Sequence, residues 1–289
     1  MEERVSFVSD GLKLAGILHL PESRGAGEPR AAFLVLHGFG SNKDGGGGTA
    51  VAKMLAGLGY AALRFDFRGC GESEGERGRV ICKEQVRDTR NALSFLAGRS
   101  DIDPKRIGVV GQSFGAAVAV YAAGVDRRIA AYISSGGWGD GAKKFRRQHA
   151  SPRAWKKFTA MMKEGKRRKR ARKPMSVPRY DIVPIPPRLR GNLAPGSIME
   201  FPFEVVETMY AFNANEVVGR IAPRPLLLLH SANDSVTPTE QSVELFERAG
   251  KPTDLHLIAD VDHFMFSEGN TLVVNLLRNW LDKYFPPQA

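Results

Sequence analysis

Ser113, Asp234 and His263 are the residues of this 289-residue chain whose types and settings suit nucleophilic chemistry. A serine hydroxyl is a weak nucleophile until a base takes its proton and a third group orients that base. Ser113 stands at the centre of Gly111-Gln112-Ser113-Phe114-Gly115, after the apolar run Ile107-Gly108-Val109-Val110 and before the small-residue stretch 116–120. That setting predicts a strand, a sharp turn and a helix, with glycines at both flanks because neighbouring backbone must pack against a strained serine. Asp234 follows in the segment 231–238, on the loop leaving the apolar run 226–229. His263 comes last, in Asp260-Val261-Asp262-His263-Phe264, on the loop leaving a strand that ends near Ile258. Asp262 is the local competitor for the acid. A serine, a histidine base and a carboxylate that orients it are the parts needed for acyl transfer.

Three loops can meet only if a scaffold brings them to one edge. Residues 5–8 and 14–20 alternate partially with period two around Asp10-Gly11, the pattern of an antiparallel edge hairpin. The continuous apolar run 31–36 suits a parallel strand covered on both faces. Val51, Met54, Leu55 and Leu58 have helical spacing; 60–66 reads as a strand and 86–96 as a helix stopped at Gly98. Residues 107–110 and 129–133 are strands on either side of the helix behind Ser113. After a gap the pattern resumes: a strand at 226–230, a helix near 243–248, a strand at 254–258 and a closing helix at 272–284. Strands alternating with helices predict a mainly parallel sheet with helices on both faces.

The gap, 139–220, has clustered charge and many prolines, among them Pro174, Pro178, Pro184, Pro186, Pro187 and Pro195. Ser151-Pro152 has the form of an N-cap with proline at the first helical position, and Trp155, Phe158 and Met162 then share a face. This predicts a partly helical cap, 139–220, inserted into a core made of 1–138 and 221–289 and lying over the carboxyl ends of the strands, where ligands bind in open α/β sheets. Trp138, Phe145, Trp155, Phe158, Met161, Met162, Met199, Phe201, Phe203, Met209, Tyr210 and Phe212 either wall an apolar acyl or aryl pocket there or glue the cap to the core. The run Gly45 to Gly48 lacks the ending of a phosphate-binding loop and reads as a flexible loop beside the entrance.

Composition narrows the partners. Between Lys143 and Lys173 there are fifteen Lys or Arg and one acid, Glu164, more than the whole chain's net charge of +11. The excess belongs to one segment. The run 166–173 reads as a solvated surface, with attraction of an anionic substrate as the functional alternative, and nothing regularly interleaves aromatics with the basic residues as a nucleic-acid site requires. No apolar run approaches membrane-spanning length, and the start carries no secretory signal, so a cytoplasmic protein with neither membrane nor nucleic-acid partner is expected. Cys70 and Cys82 read as reduced thiols. No His, Cys or carboxylate spacing suggests a metal, and no cofactor is called for.

Four motifs together carry a family resemblance: His37-Gly38-Phe39-Gly40, Asp66-Phe67-Arg68-Gly69-Cys70-Gly71-Glu72-Ser73, the turn around Ser113, and the Asp234 and His263 loops. Over almost its full length the chain resembles an α/β-hydrolase, closest to compact esterases and the dienelactone-hydrolase and serine-aminopeptidase-like branches. The resemblance implies a Ser, Asp, His order along the chain and an oxyanion hole formed by the backbone N–H groups of Phe39 and Phe114. His37 then shapes the oxyanion loop, while Asp66 and Arg68 fix the loop after their strand. The activity implied is carboxylesterase-type cleavage of a small-molecule ester, aryl or anionic esters included, through an acyl-enzyme. A peptidase or amidase, a thioesterase or a carbon–carbon bond hydrolase would use the same residues, and an idle scaffold binding an anionic partner through its basic cap is the non-enzymatic alternative. A homodimer stays open.

Overall fold

The computed structural model describes residues 1–21, 29–267 and 270–288. The first two strands, β1 (Glu2–Ser9) and β2 (Leu12–His19), form the expected edge hairpin. There follow β3 (Arg30–Leu36), α1 (Gly46–Gly57), β4 (Ala61–Phe65), α2 (Cys82–Ala97), β5 (Ile102–Gln112), α3 (Phe114–Val125) and β6 (Ile129–Ser135). The long connection after β6 carries α4 (Gly141–Gln148), α5 (Pro152–Arg170), β7 (Ser176–Pro178), α6 (Arg179–Ile182), β8 (Glu200–Pro202) and α7 (Phe203–Ala211). The sheet resumes with β9 (Leu226–Ser231), and α8 (Glu240–Arg248), β10 (Thr253–Ile258) and α9 (Thr271–Tyr284) close the chain. The large sheet has the order β1-β2-β4-β3-β5-β6-β9-β10, antiparallel across β1, β2 and β4 and parallel from β4 to β10. This is the α/β-hydrolase architecture that the sequence predicts.

The unbroken apolar runs are explained by two cores rather than one. Side chains alternate across a strand, so Leu34 and Leu36 of β3 and Leu226 and Leu228 of β9 face one layer, with α2, α3 and α8 behind it. Phe33, Val35, Leu227 and Leu229 face the other, against Val51 and Leu55 of α1 and Val273, Leu277 and Trp280 of α9. Each buried leucine contributes about 1.5–3 kcal/mol relative to exposure. A polar residue would unbalance whichever layer received it.

Several boundaries move. The glycines of the 45–48 run are not a flexible loop: Gly46 to Gly48 make the first turn of α1. A Cβ on Gly47 would lie 2.4 Å from Gln112 Oε1, so this helix start packs closely on the residue before Ser113. β5 begins at Ile102 rather than Ile107 because Ile102 pairs with Arg30 ahead of a register shift. Cys82 opens α2, four residues before Val86, and is itself part of its buried face. Ser151 caps α5 as expected, its hydroxyl accepting from the Ala154 amide. The antiparallel β7–β8 pair, too short and too proline-rich for period-two alternation to show, went unseen in the sequence.

Candidate active site

The strain at Ser113 is visible in its backbone. With φ 53° and ψ −115° the serine occupies a region that L residues avoid, at a cost of about 1–3 kcal/mol. Its amide donates to the Ser135 carbonyl (2.8 Å), and its own carbonyl accepts from Ala116 and Ala117. The flanking glycines are obligatory: a Cβ on Gly111 would stand 2.2 Å from the Gly115 carbonyl oxygen, and one on Gly115 2.5 Å from that of His37. β5 therefore delivers the hydroxyl to its carboxyl end, where α3 begins.

Ser113, His263 and Asp234 are brought together. His263 Nε2 lies 2.8 Å from Ser113 Oγ and Nδ1 lies 2.8 Å from Asp234 Oδ2. Asp234 Oδ1 accepts from the amides of Val236 and Thr237, both at 2.7 Å, so the carboxylate is fixed from two sides. Burial acts to raise the Asp234 carboxyl, but the His263 and His230 rings beside it prevail and hold it well below the usual carboxylate range. Asp262 is turned elsewhere, accepting from the Ser235 and His263 amides and pairing with Arg188 at 2.8 Å. Of the two acids beside the histidine, Asp234 is the one bonded to its ring.

Gly38 lies close to the serine, its Cβ position 3.7 Å from Ser113 Cβ. The loop it begins is held from below by His37, whose Nδ1 bonds the Gly38 carbonyl (2.9 Å) while Nε2 accepts from the Phe67 amide (3.2 Å). The Phe39 and Phe114 rings are 5.8 Å apart, so the two residues whose amides the resemblance implicates are neighbours. Asp66 accepts from the Lys43 amide and Nζ and from the Glu72 amide, and Arg68 pairs with buried Asp88 at 2.6 Å. Both hold loops, as expected of them.

A cleft of about 770 Å³, including space open to solvent, contains Ser113 and His263. Val183, Ile185, Leu193, Val236 and Phe264 supply its apolar wall; Gln112, Asn42, Asn192 and the glycines of α1 supply polar and backbone surface. None of the twelve aromatic and thioether residues singled out as pocket candidates lines it. Phe145, Phe158 and Phe201, for example, are buried in the core layer behind the β6–β9 connection, with Phe145 stacked on Phe158 at 4.9 Å. All but the exposed Met199 pack in or against the core, because large apolar side chains bury best where two layers meet.

The fold, the turn at Ser113 and the order of the three side chains agree with a sequence model that describes the Alpha/beta hydrolase family and matches residues 33–276. The chain belongs to the alpha/beta hydrolase family. Among relatives of this alpha/beta hydrolase, the polyketide transferase grgF of Penicillium sp is 27% identical over 284 residues, 94% of this chain and 92% of that protein. The solved structure of alpha/beta hydrolase GrgF from Penicillium sp. sh18 superposes with a TM-score of 0.78 over 98% of this chain and 99% of that one, at 23% identity. Est1E from Butyrivibrio proteoclasticus, solved with ferulic acid bound, gives a TM-score of 0.68 over 96% and 100% of the two chains at 18% identity. At such identities the structural likenesses establish the fold.

Three site residues escaped the sequence reading. His230, fully buried, places Nε2 3.3 Å from Asp234 Oδ2 and Nδ1 2.6 Å from Ser242 Oγ, so the carboxylate faces two imidazoles. Its position four residues before Asp234, at the end of an apolar strand, was the available signal. Gly136, with φ +60°, leaves room beside the pair: a Cβ there would lie 3.4 Å from the His263 ring and 3.5 Å from Asp234 Oδ2. Arg179, in the middle of a charge-rich segment, gave no sign that it would be buried. Both cysteines are free, as anticipated, and both are buried. Among the described residues no cluster could hold a metal ion and no helix is long and apolar enough to cross a membrane.

Proposed function

We propose that this protein hydrolyses carboxylic esters through an acyl-enzyme on Ser113. The observation that carries the reading is the continuous chain Ser113 Oγ, His263, Asp234, with 2.8 Å at each link. His263 takes the hydroxyl proton at Nε2 as Oγ attacks the ester carbonyl, and Asp234 balances the positive ring from the Nδ1 side. The oxyanion of the tetrahedral intermediate is received by the Phe39 and Phe114 amides, each such donor lowering the barrier by about 3–4 kcal/mol. His263 passes its proton to the leaving alkoxide, leaving Ser113 acylated. Water then attacks the acyl carbon, giving its proton to the same nitrogen, and the acid departs as Ser113 is reprotonated.

Residues 139–220 act as the cap in this reading, because Arg179, Val183, Ile185 and Leu193 line the cleft above Ser113. The apolar wall suits the acyl chain. The ferulic acid bound to Est1E supports a carboxylic acid as the product, and the relative named thiohydrolase aneE of Aspergillus aculeatus favours one second reading, hydrolysis of a thioester. Hydrolysis of p-nitrophenyl acetate and butyrate by wild type and Ser113→Ala tests the assignment. Activity lost in the variant is the expected result, and equal rates would refute it. Running matched ester and thioester substrates side by side separates the two readings by their kcat/KM.

A further inference from the structure

Arg179 sits at the start of α6 and is 3% exposed. Its guanidinium donates to the Phe39 carbonyl at 2.5 Å, to the Ile198 carbonyl at 2.8 Å and, more weakly, to the Gly40 carbonyl at 3.4 Å. All three acceptors are neutral. Among the described residues Arg179 makes no ion pair, and its Nε is buried with no hydrogen-bond partner. The other two cations lining the cleft behave differently: Lys43 is matched by Asp66 and Glu72, and Arg64 by Asp44. Burying a guanidinium without a carboxylate is costly enough that burial pushes its pKa down to about 10.

The same stretch of chain grips the oxyanion loop elsewhere. The Ile198 amide donates to the Gly40 carbonyl at 2.8 Å, and Phe201 stacks on Phe39 with ring centroids 4.2 Å apart. Gly40 is held at φ +51°, where a Cβ would collide with the Phe201 ring at 2.4 Å. A loop so held cannot rotate its peptide planes without breaking bonds to Arg179.

We propose that Arg179 is a positioning residue for the oxyanion hole, fixing the two peptide planes that directly follow the Phe39 N–H, Phe39-Gly40 and Gly40-Ser41, and placing an unmatched positive charge beside the oxyanion. The proposal rests on the Ser113 hydrolase reading given above. A fixed fork of donors suits this task, since two adjacent carbonyls of the oxyanion loop and a third on the neighbouring Ile198 need planar, divergent N–H groups. The unmatched charge has a purpose only when negative charge appears nearby. In the resting protein it is a cost; as the tetrahedral intermediate forms it becomes an attraction, so its effect falls on kcat rather than on KM.

The test compares wild type, Arg179→Met and Arg179→Lys for kcat and KM on p-nitrophenyl butyrate, and for the rate at which a fluorophosphonate labels Ser113. In labelling, Oγ bonds phosphorus, fluoride leaves and the phosphonyl oxygen takes the oxyanion's place. Removing a direct oxyanion donor costs about 10²–10³ in kcat, so an indirect one is expected to cost about tenfold or more. Both rates should fall together in R179M with KM within about threefold of wild type, and R179K should recover part of the loss by restoring charge without the fork. A folded R179M that labels as fast as wild type, or whose defect lies in KM, overturns the proposal. Should R179M fail to fold, R179K decides: wild-type kcat and labelling there overturn it, and a kcat loss at constant KM supports it. A wild type that neither turns over esters nor labels refutes the Ser113 reading instead, and this inference with it.

Discussion

Lys144 on α4 is 2% exposed, and its Nζ has no hydrogen-bond partner. Burial pushes its pKa down from 10.5 to about 7. The neighbouring Cys82 offers no counter-charge, since burial pushes that thiol up to about 12 and keeps it neutral. The unfolded chain holds the lysine proton more tightly than the folded one, so the cost to stability is complete below pH 7 and is relieved as pH rises towards 10.5. At about 1.4 kcal/mol per tenfold difference in proton affinity, the ceiling is about 5 kcal/mol. The Phe145 and Trp138 rings, 4.3 and 5.3 Å from Nζ, return about 1–2 kcal/mol by cation–π attraction, which leaves about 3. Lys144→Met keeps an unbranched stem of similar length and removes the charge. Urea unfolding at pH 6 should show K144M more stable than wild type by about 2–3 kcal/mol, with the difference shrinking by about 2 kcal/mol at pH 10. Comparison at two pH values cancels every other titrating group the two proteins share. A K144M protein less stable than wild type at pH 6, or a difference that ignores pH, would refute the reasoning.

Asp234→Asn should lower kcat by about 10⁴-fold, as loss of the orienting carboxylate does in serine proteases, whereas Asp262→Asn should stay within about threefold; a swap of the two effects on p-nitrophenyl butyrate would reassign the acid. Because Asp234 is held well below the usual carboxylate range, it keeps its charge as the medium is acidified, so log kcat/KM should fall with a slope of one as pH drops. A slope of two would show that a second essential group protonates. Gly115→Ala should cost about 3 kcal/mol or more, since its Cβ would meet the rigid His37 and Leu36 carbonyls at 2.5 and 2.6 Å, and an unchanged melting temperature would contradict the packing described.

The parts of the molecule that were legible in the sequence are those in which local chemistry is decisive. A serine between two glycines, at a switch from β-branched residues to alanines, can do little except turn sharply, and fully apolar runs such as 226–229 require cover on both faces. The order and spacing of Asp234 and His263 followed from the loops leaving such strands. What could not be read depended on contacts between distant segments. Arg179 resembles its many basic neighbours until Phe39, Gly40 and Ile198 surround it. His230 looked like a strand residue because nothing in 226–231 says which way Asp234 turns back. The aromatics of 139–220 left two roles open for the same reason: composition shows that rings will be buried, not whether they face a cleft or a core.

Strands β6 and β9 pair directly, Tyr132 opposite Leu226, although some ninety residues of chain separate them. The sheet would close in the same register whatever lay between, which is the arrangement expected of an interchangeable module. Contacts of Arg179, Ile198 and Phe201 with Phe39 and Gly40 make it otherwise. A chimera that exchanges this connection for that of another family member would inherit a sound sheet and an ill-fitting oxyanion loop. Grafts aimed at new substrates must therefore transplant the 37–42 loop together with 176–203, as a matched pair.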